Sequence, residues 1–214
     1  MTTISFVVFH CTNPECGLRF TAISGDHRGN RCPSCWNPTE IVSGPFPRSV
    51  VEQATPVTGE LHLEVLLDNI RSAWNVGSMM RSSDGAGVKQ VHLGGVTPGT
   101  DNPKVAKTSL GAETSVPAVK HADGLAFCNI WKDRGGVIWA LEGGERAEAL
   151  YSIKRSDLPR KLLLVVGNEL TGVDPDILKL CDRVVFLPME GFKGSLNVAV
   201  AFGIAVYTLR YGIK

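Results

Sequence analysis

No stretch of the chain approaches the ~18–20 uninterrupted apolar residues that a membrane-spanning helix requires, so a membrane span is excluded at the level of sequence. The first residues, Met1 to Phe9, are too short and too poor in basic residues for a secretory leader, and the expected compartment is the cytoplasm. There is no excess of charge of either sign: Lys and Arg total 22 against 21 Asp and Glu, a net +1. A polyanionic partner would therefore be held by local patches and not by a long-range field. No G-x-G-x-x-G follows an apolar run and no G-x-x-x-x-G-K-[ST] occurs, so ordinary dinucleotide and P-loop nucleotide binding lose support. There is no internal repeat or low-complexity tract. What is present, 43% hydrophobic and 20% charged residues over 214 positions, is enough to build a buried core.

The six cysteines are unevenly spread, four of them falling in the first 35 residues. Cys11, Cys16, Cys32 and Cys35 form Cys-x4-Cys and Cys-x2-Cys pairs separated by fifteen residues, the ligand spacing of a zinc ribbon. Turn-forming residues, Asn13-Pro14, Gly17, Gly29-Asn30 and Pro33-Ser34, surround both pairs, and Leu18 to Ala22 reads as one strand of a small hairpin. A segment of this size has too little core to fold unaided, so a structural zinc is the natural staple. His10 is an alternative ligand, but four thiolates already complete a tetrahedral shell. Cys128 and Cys181 read as small buried hydrophobes. The expected organisation is a zinc ribbon over residues 1–44, a breaker-rich linker over 45–60, and a larger domain over 61–214.

From Leu61 onward, short Val/Ile/Leu-rich runs alternate with helical patterns. The runs at Leu61–Leu67, Gln90–Leu93, Ser115–Val119, Val137–Leu141, Leu162–Val166 and Val184–Leu187 read as buried parallel strands. Val76–Ala86 and Pro175–Cys181 read as helices. Together they predict an α/β sheet covered by helices. The segment Leu196 to Arg210 is apolar on nearly every side, as befits a helix inside a sheet layer, at a subunit interface, or both.

In such sheets ligands bind beyond the carboxyl ends of the strands. Three loops there carry chemistry. The first strand runs into Asp68 to Arg81, with two asparagines and an arginine at a strand-to-helix junction; the fifth ends in Gly167-Asn168-Glu169-Leu170-Thr171-Gly172; the sixth leads to Leu187-Pro188-Met189 and on to Ser195-Leu196-Asn197, with Ser195 placed to cap the last helix.

Asn75-x-Gly77-x3-Arg81, Gly167-Asn168-Glu169-x2-Gly172, and Leu187-Pro188-Met189 with Ser195-Leu196-Asn197-Val198-Ala199-Val200-Ala201 resemble, in order, the three motifs of SpoU-type RNA 2'-O-ribose methyltransferases of the SPOUT superfamily. The resemblance covers the chain from about Leu61 onward and leaves the cysteine segment as an accessory domain. It implies a parallel sheet with a C-terminal trefoil knot, a homodimer with composite sites, and S-adenosylmethionine bound at the knot. It further implies Arg81 as the catalytic residue, with Glu169, Asn75, Ser195 and Asn197 holding Arg81 and the substrate in register. The cofactor is expected to rest on Leu141, Glu142 and Gly143 after the fourth strand, and on Gly167, Leu187, Met189 and Leu196.

A guanidinium is a poor proton acceptor, so Arg81 is better suited to orienting the ribose hydroxyl, or to gripping the adjoining phosphate and stabilising charge on the 2' oxygen, with deprotonation by Arg81 itself the less favoured alternative. The bland alternative is a surface ion pair with Asp84. RNA, transfer or ribosomal, would meet Lys104, Lys107 and Lys193, and in the cysteine domain Arg19, Arg28, Arg31 and Arg48. Methylation of an RNA base, or a zinc-dependent RNA-binding protein without catalysis, are the competing functions.

Overall fold

The computed structural model describes residues 3–49 and 61–213, and the chain divides into two compact units, Met1–Thr58 and Gly59–Lys214. In the first unit β1 (Thr3–Cys11), β2 (Arg19–Ile23) and β3 (Thr39–Ser49) form an antiparallel sheet in the order β2-β1-β3. The strand expected at Leu18–Ala22 is thus β2, and the largely apolar run Ile4 to Phe9 supplies the sheet's centre. β3 runs through residues 45–49, which the density of breakers had marked as linker. Pro45 and Pro47 are tolerated because β3 is an edge strand, paired only with β1, where a missing N–H breaks no second ladder. The rest of the expected linker lies outside the described residues.

The second unit is built on a seven-stranded, wholly parallel sheet in the order β6-β5-β4-β9-β7-β10-β8. Its strands are β4 (His62–Asp68), β5 (Val91–Gly94), β6 (Ala118–His121), β7 (Val137–Leu141), β8 (Ala147–Ala149), β9 (Lys161–Val166) and β10 (Arg183–Phe186). The helices are α1 (Ala73–Gly85), α2 (Pro103–Ser109), α3 (Ala112–Ser115), α4 (Gly124–Asp133), α5 (Pro175–Leu180) and α6 (Val198–Tyr207), the last continuing into a π turn over Thr208–Gly212. The continuous apolar runs arise because both sheet faces are covered. Leu63, Val65, Leu67, Leu162 and Leu164 point to one core with Met79 of α1 and Phe202 of α6, while Leu66, Leu163 and Val165 point to the other with Cys128 of α4 and Ile177 of α5.

Two further expectations need correction. Ser115 ends α3, and the strand assigned to Ser115–Val119 lies at Ala118–His121. The cap of α6 is Asn197 and not Ser195: the helix starts at Val198, and the Asn197 carboxamide oxygen accepts from the N–H groups of Ala199 (2.9 Å) and Val200 (3.3 Å). Among the described residues no helix is long and apolar enough to cross a membrane.

Candidate functional site

β4 and β9 are neighbours at the centre of the sheet although four strands separate them in sequence, so the chain leaves their carboxyl ends in loops that face each other. This is a topological switch point, where open α/β sheets form a crevice. The loop after β9 is shaped by two glycines. At Gly167 an added Cβ would stand 2.1 Å from the Val173 nitrogen, and Gly172 adopts φ +74°, a conformation that L side chains rarely adopt. Asn168 closes the loop: its backbone exchanges hydrogen bonds with Gly172, its carboxamide oxygen accepts from the Leu170 N–H at 2.9 Å, and its Nδ2 donates to the Asn69 carbonyl at 2.7 Å. Asn168 was not among the residues assigned a role from the sequence, although an asparagine at a tight turn between glycines is the available signal.

Glu169 then reaches the start of α1. Its Oε2 accepts from the Arg71 N–H at 2.9 Å, and its Oε1 from the Ser72 N–H at 3.1 Å and from Asn75 Nδ2 at 2.9 Å. Burial works against its charge, but these donors prevail and hold the carboxyl below its ordinary range. Asn75 passes the connection on, its Oδ1 accepting from Asn197 Nδ2 at 3.2 Å. The three motif loops are thereby joined side chain to side chain: Glu169 after β9, Asn75 on α1, Asn197 at the head of α6.

Beside this chain of hydrogen bonds lies a cavity of about 450 Å³, within the range of small-molecule sites. All seven residues expected to hold the cofactor line it: Leu141, Glu142 and Gly143 after β7, Gly167 after β9, and Leu187, Met189 and Leu196 between β10 and α6. Glu169, Ser195 and Asn197 line it too. Glu142 is fixed by the Val173 N–H, which donates to its Oε2 at 3.0 Å. Added Cβ atoms at Gly143 and Gly194 would meet no atom within 4 Å, so the cavity wall there is backbone beside open space.

Arg81 is elsewhere. Six residues beyond Asn75, it lies ~9 Å further along α1 and on another side of it, in a separate hollow with Ser78, Ser82, Asp84, Gly85, Thr108 and Tyr207. It is exposed and makes no ion pair among the described residues; Asp84, the alternative partner, accepts instead from the Ser115 hydroxyl at 2.7 Å. Lys104 and Lys107 are exposed on α2, with Lys104 one turn before the Thr108 of this hollow and Lys107 Nζ 5.5 Å from the ring centre of Trp74. Lys193 is exposed in the loop after β10.

In the first unit the sulfur atoms of Cys11, Cys16, Cys32 and Cys35 all lie within 4.8 Å of one another, with Cys11–Cys35 at 3.4 Å and Cys16–Cys32 at 3.7 Å. A tetrahedron of thiolates at ~2.3 Å from a zinc ion has edges of ~3.8 Å, whereas a disulfide needs ~2.05 Å. The arrangement therefore fits a metal and not two disulfides. Asn37 donates to the Cys35 sulfur at 3.4 Å and, with a second bond from its own backbone, lowers that thiol to about 6. Cys128 and Cys181 are buried, and burial pushes both to about 12, as expected of inert thiols.

The SpoU rRNA Methylase family model matches residues 62–207. The chain belongs to that family. It is 33% identical over 148 residues to the 23S rRNA (guanosine(2553)-2'-O)-methyltransferase RlmP of Bacillus subtilis (strain 168), covering 68% of this chain and 57% of that protein. It is 35% identical over 145 residues to the 23S rRNA (guanosine-2'-O-)-methyltransferase RlmB of Xanthomonas axonopodis pv. citri (strain 306), with coverage of 68% and 57%. The chain thus spans rather more than half the length of the curated relatives it matches. Among solved structures, the SpoU methyltransferase AviRb from Streptomyces viridochromogenes in complex with AdoMet superposes with a TM-score of 0.64 at 27% identity, covering 73% of this chain and 62% of that one. The A. aeolicus TrmH/SpoU tRNA modifying enzyme gives 0.62 at 28%, covering 70% and 74%. The match begins at His62, so the cysteine-bearing unit lies outside the SpoU region.

Proposed function

We propose that this chain transfers a methyl group from S-adenosylmethionine to the 2'-hydroxyl of a ribose in transfer or ribosomal RNA, acting as a homodimer in the cytoplasm. The observation that carries the reading is the hydrogen-bonded chain Glu169–Asn75–Asn197, which ties the three motif loops around one cavity. S-adenosylmethionine, when bound, supplies an electrophilic methyl group. The cavity suits it: Leu141, Leu187, Met189 and Leu196 give apolar walls, and the open backbone at Gly143 and Gly194 offers amides and carbonyls to its polar parts.

Each side chain then has a task. Glu169, already engaged by three donors, positions the start of α1 and is not free to take the ribose proton. Asn75 and Asn197 keep the loops in register, and the exposed Ser195 offers a hydroxyl on the cavity wall. The free guanidinium of Arg81 grips the phosphate beside the target ribose and stabilises charge developing on the 2' oxygen. Within one chain Arg81 occupies a different hollow from the cavity, and we assign it to the site of a second copy. Exposed apolar side chains on α1, α6 and the π turn, Trp74, Val200, Tyr207 and Tyr211, support such an interface. The insertion of β10 between β7 and β8 supports the knotted threading that the family resemblance implies. The four thiolates would hold one zinc ion as a structural staple.

The product provides the test. Methylation of the 2' oxygen removes the nucleophile that attacks the adjoining phosphorus, so the linkage 3' to the modified nucleotide should resist alkali. Alkaline digestion of RNA methylated by the purified protein, followed by mass spectrometry, should yield an intact dinucleotide carrying the methyl group. A methylated mononucleotide would transfer the assignment to base methylation.

A further inference from the structure

The two cysteine pairs differ in spacing, four intervening residues in one and two in the other, yet end on the same backbone feature. The residue after the second cysteine of each pair turns into the left-handed region: Gly17 after Cys16 at φ +56°, and Trp36 after Cys35 at φ +61°. Glycine meets that requirement without strain. A residue with a Cβ rarely adopts it, and the rare cases are mostly asparagine and aspartate, whose short side chains bond locally. Tryptophan has no such compensation, and packing supplies none either, since Trp36 is 74% exposed. The chain thus holds its largest side chain outward at a backbone position that favours glycine. Strained positions that persist without a packing reason point to function.

The surroundings of Trp36 name the ligand. Arg31, itself exposed, donates from Nη1 to the Trp36 carbonyl at 3.3 Å, which ties its guanidinium to the backbone that carries the indole. Arg31 makes no ion pair among the described residues, whereas Arg28 is engaged by Asp26 at 2.7 Å. Residues 3–49 contain four arginines and no lysine, the planar cation that both stacks on bases and binds phosphate in a fork. An exposed indole and a guanidinium held at the same residue match an unpaired base joined to its phosphate. A duplex keeps the faces of all but its terminal pairs within its own stack and offers no splayed base along its length.

We infer that Trp36 and Arg31 form a stacking platform for an unpaired nucleotide of the RNA substrate, so that the cysteine unit recognises single-stranded RNA. The inference rests on the RNA methyltransferase reading of the second unit, and its test separates the two. Binding of a labelled single-stranded RNA oligonucleotide and of a blunt RNA duplex would be measured by fluorescence anisotropy for the full-length protein and for Trp36→Gly, Trp36→Ala and Trp36→Phe. Zinc content and thermal melting would be recorded for each, and methyl transfer to RNA for the wild type.

Loss of one stacked base should weaken single-strand binding about 5- to 150-fold in Trp36→Gly and Trp36→Ala. Trp36→Phe should keep most of the affinity, and duplex binding should not change. Trp36→Gly should also retain zinc and melt no lower than the wild type, because glycine relieves the left-handed backbone. Wild-type single-strand affinity in Trp36→Gly, alongside methylation of RNA by the wild type, would overturn the platform and leave the methyltransferase intact. Equal losses on single strand and duplex, or zinc loss and a lower melting temperature in Trp36→Gly, would overturn it as well, by making Trp36 a general contact or a structural residue. A wild type that neither binds nor methylates RNA would overturn the reading of the second unit itself.

Discussion

The carboxylate of Glu169 satisfies two backbone N–H groups at the start of α1, those of Arg71 and Ser72, which a helix cannot satisfy by itself. Replacing Glu169 with alanine leaves the partly buried Ser72 N–H and Asn75 Nδ2 without their acceptor, a loss of ~1–3 kcal/mol, while water can take over the exposed Arg71 N–H. Glu169→Ala should therefore lower the melting temperature and weaken S-adenosylmethionine binding together, because the loop after β9 and α1 lose their tie. Glu169→Gln keeps one acceptor oxygen and should retain most of the stability. Calorimetric titration and thermal melting check this, and unchanged stability in Glu169→Ala would refute the positioning role. The motif residues were readable in the sequence as chemistry at strand ends. Their partners were not, because the bond from Glu169 to Asn75 spans 94 positions and depends on β9 lying beside β4, a pairing that no local pattern encodes. Arg81 shows the same limit, since its helix was legible while its distance from the cavity was not.

Among the elements, the strands with long apolar runs were legible because covering both faces of a parallel sheet leaves a continuous hydrophobic signature. β8 escaped because Ala147–Ala149 has only three residues and little apolar content. α4 and α2 carry local start signals in the sequence: Asp123 caps α4 through the Ala126 N–H, and Asn102 with Pro103 opens α2. The sheet also holds polar residues within apolar runs. On β4 and β5, Glu64 and His92 are buried; Glu64 accepts from His62 and His92 at 2.7 Å each, and His92 Nδ1 meets His121 Nε2 of β6 at 2.8 Å, with Phe127 of α4 stacked on both rings. One proton bridges the two imidazoles, so they cannot both be fully protonated in this arrangement. Burial lowers His92 despite the opposing pull of Glu64, and burial lowers His121. Histidines depressed in the fold stay neutral while the unfolded chain takes up protons, so stability should fall as pH drops below ~6.5. Glu64 works in the same direction at more acid pH. Although burial opposes its charge, the histidine bonds hold it below its ordinary range. Chemical denaturation across this range should show the decline, and His92→Gln should flatten its upper part. A wild-type profile that rises on acidification to pH ~5.5 would exclude this cluster as the dominant titrating group.

For the molecule as a whole, the question is whether one chain suffices. The cysteine unit was legible from four positions, because metal-ligand spacing is a local pattern; the boundary was less so, since the prolines at 45 and 47 look like a linker and are found in an edge strand. Assembly leaves a weaker trace. The Leu196–Arg210 segment was read as helix inside a sheet layer, at an interface, or both, and the structure gives it two characters: Phe202, Ala205 and Val206 are buried, while Val200 and Tyr207 are about half exposed. If that open side joins two copies and brings Arg81 of one to the cavity of the other, two inactive proteins can rescue each other. Arg81→Ala removes the guanidinium and leaves the cavity intact. Gly167→Val blocks the loop after β9, where even a Cβ would stand 2.1 Å from the Val173 nitrogen, and leaves Arg81 in place. Each variant alone should show no methyl transfer. Mixed and allowed to exchange subunits, half of the dimers become hybrids, and each hybrid carries one site with an intact cavity and an intact arginine, so activity should return to roughly a quarter of the wild-type level. Absence of rescue, with hybrid formation verified by native mass spectrometry and Gly167→Val shown to fold, would mean that Arg81 serves the cavity of its own chain after a rearrangement of α1.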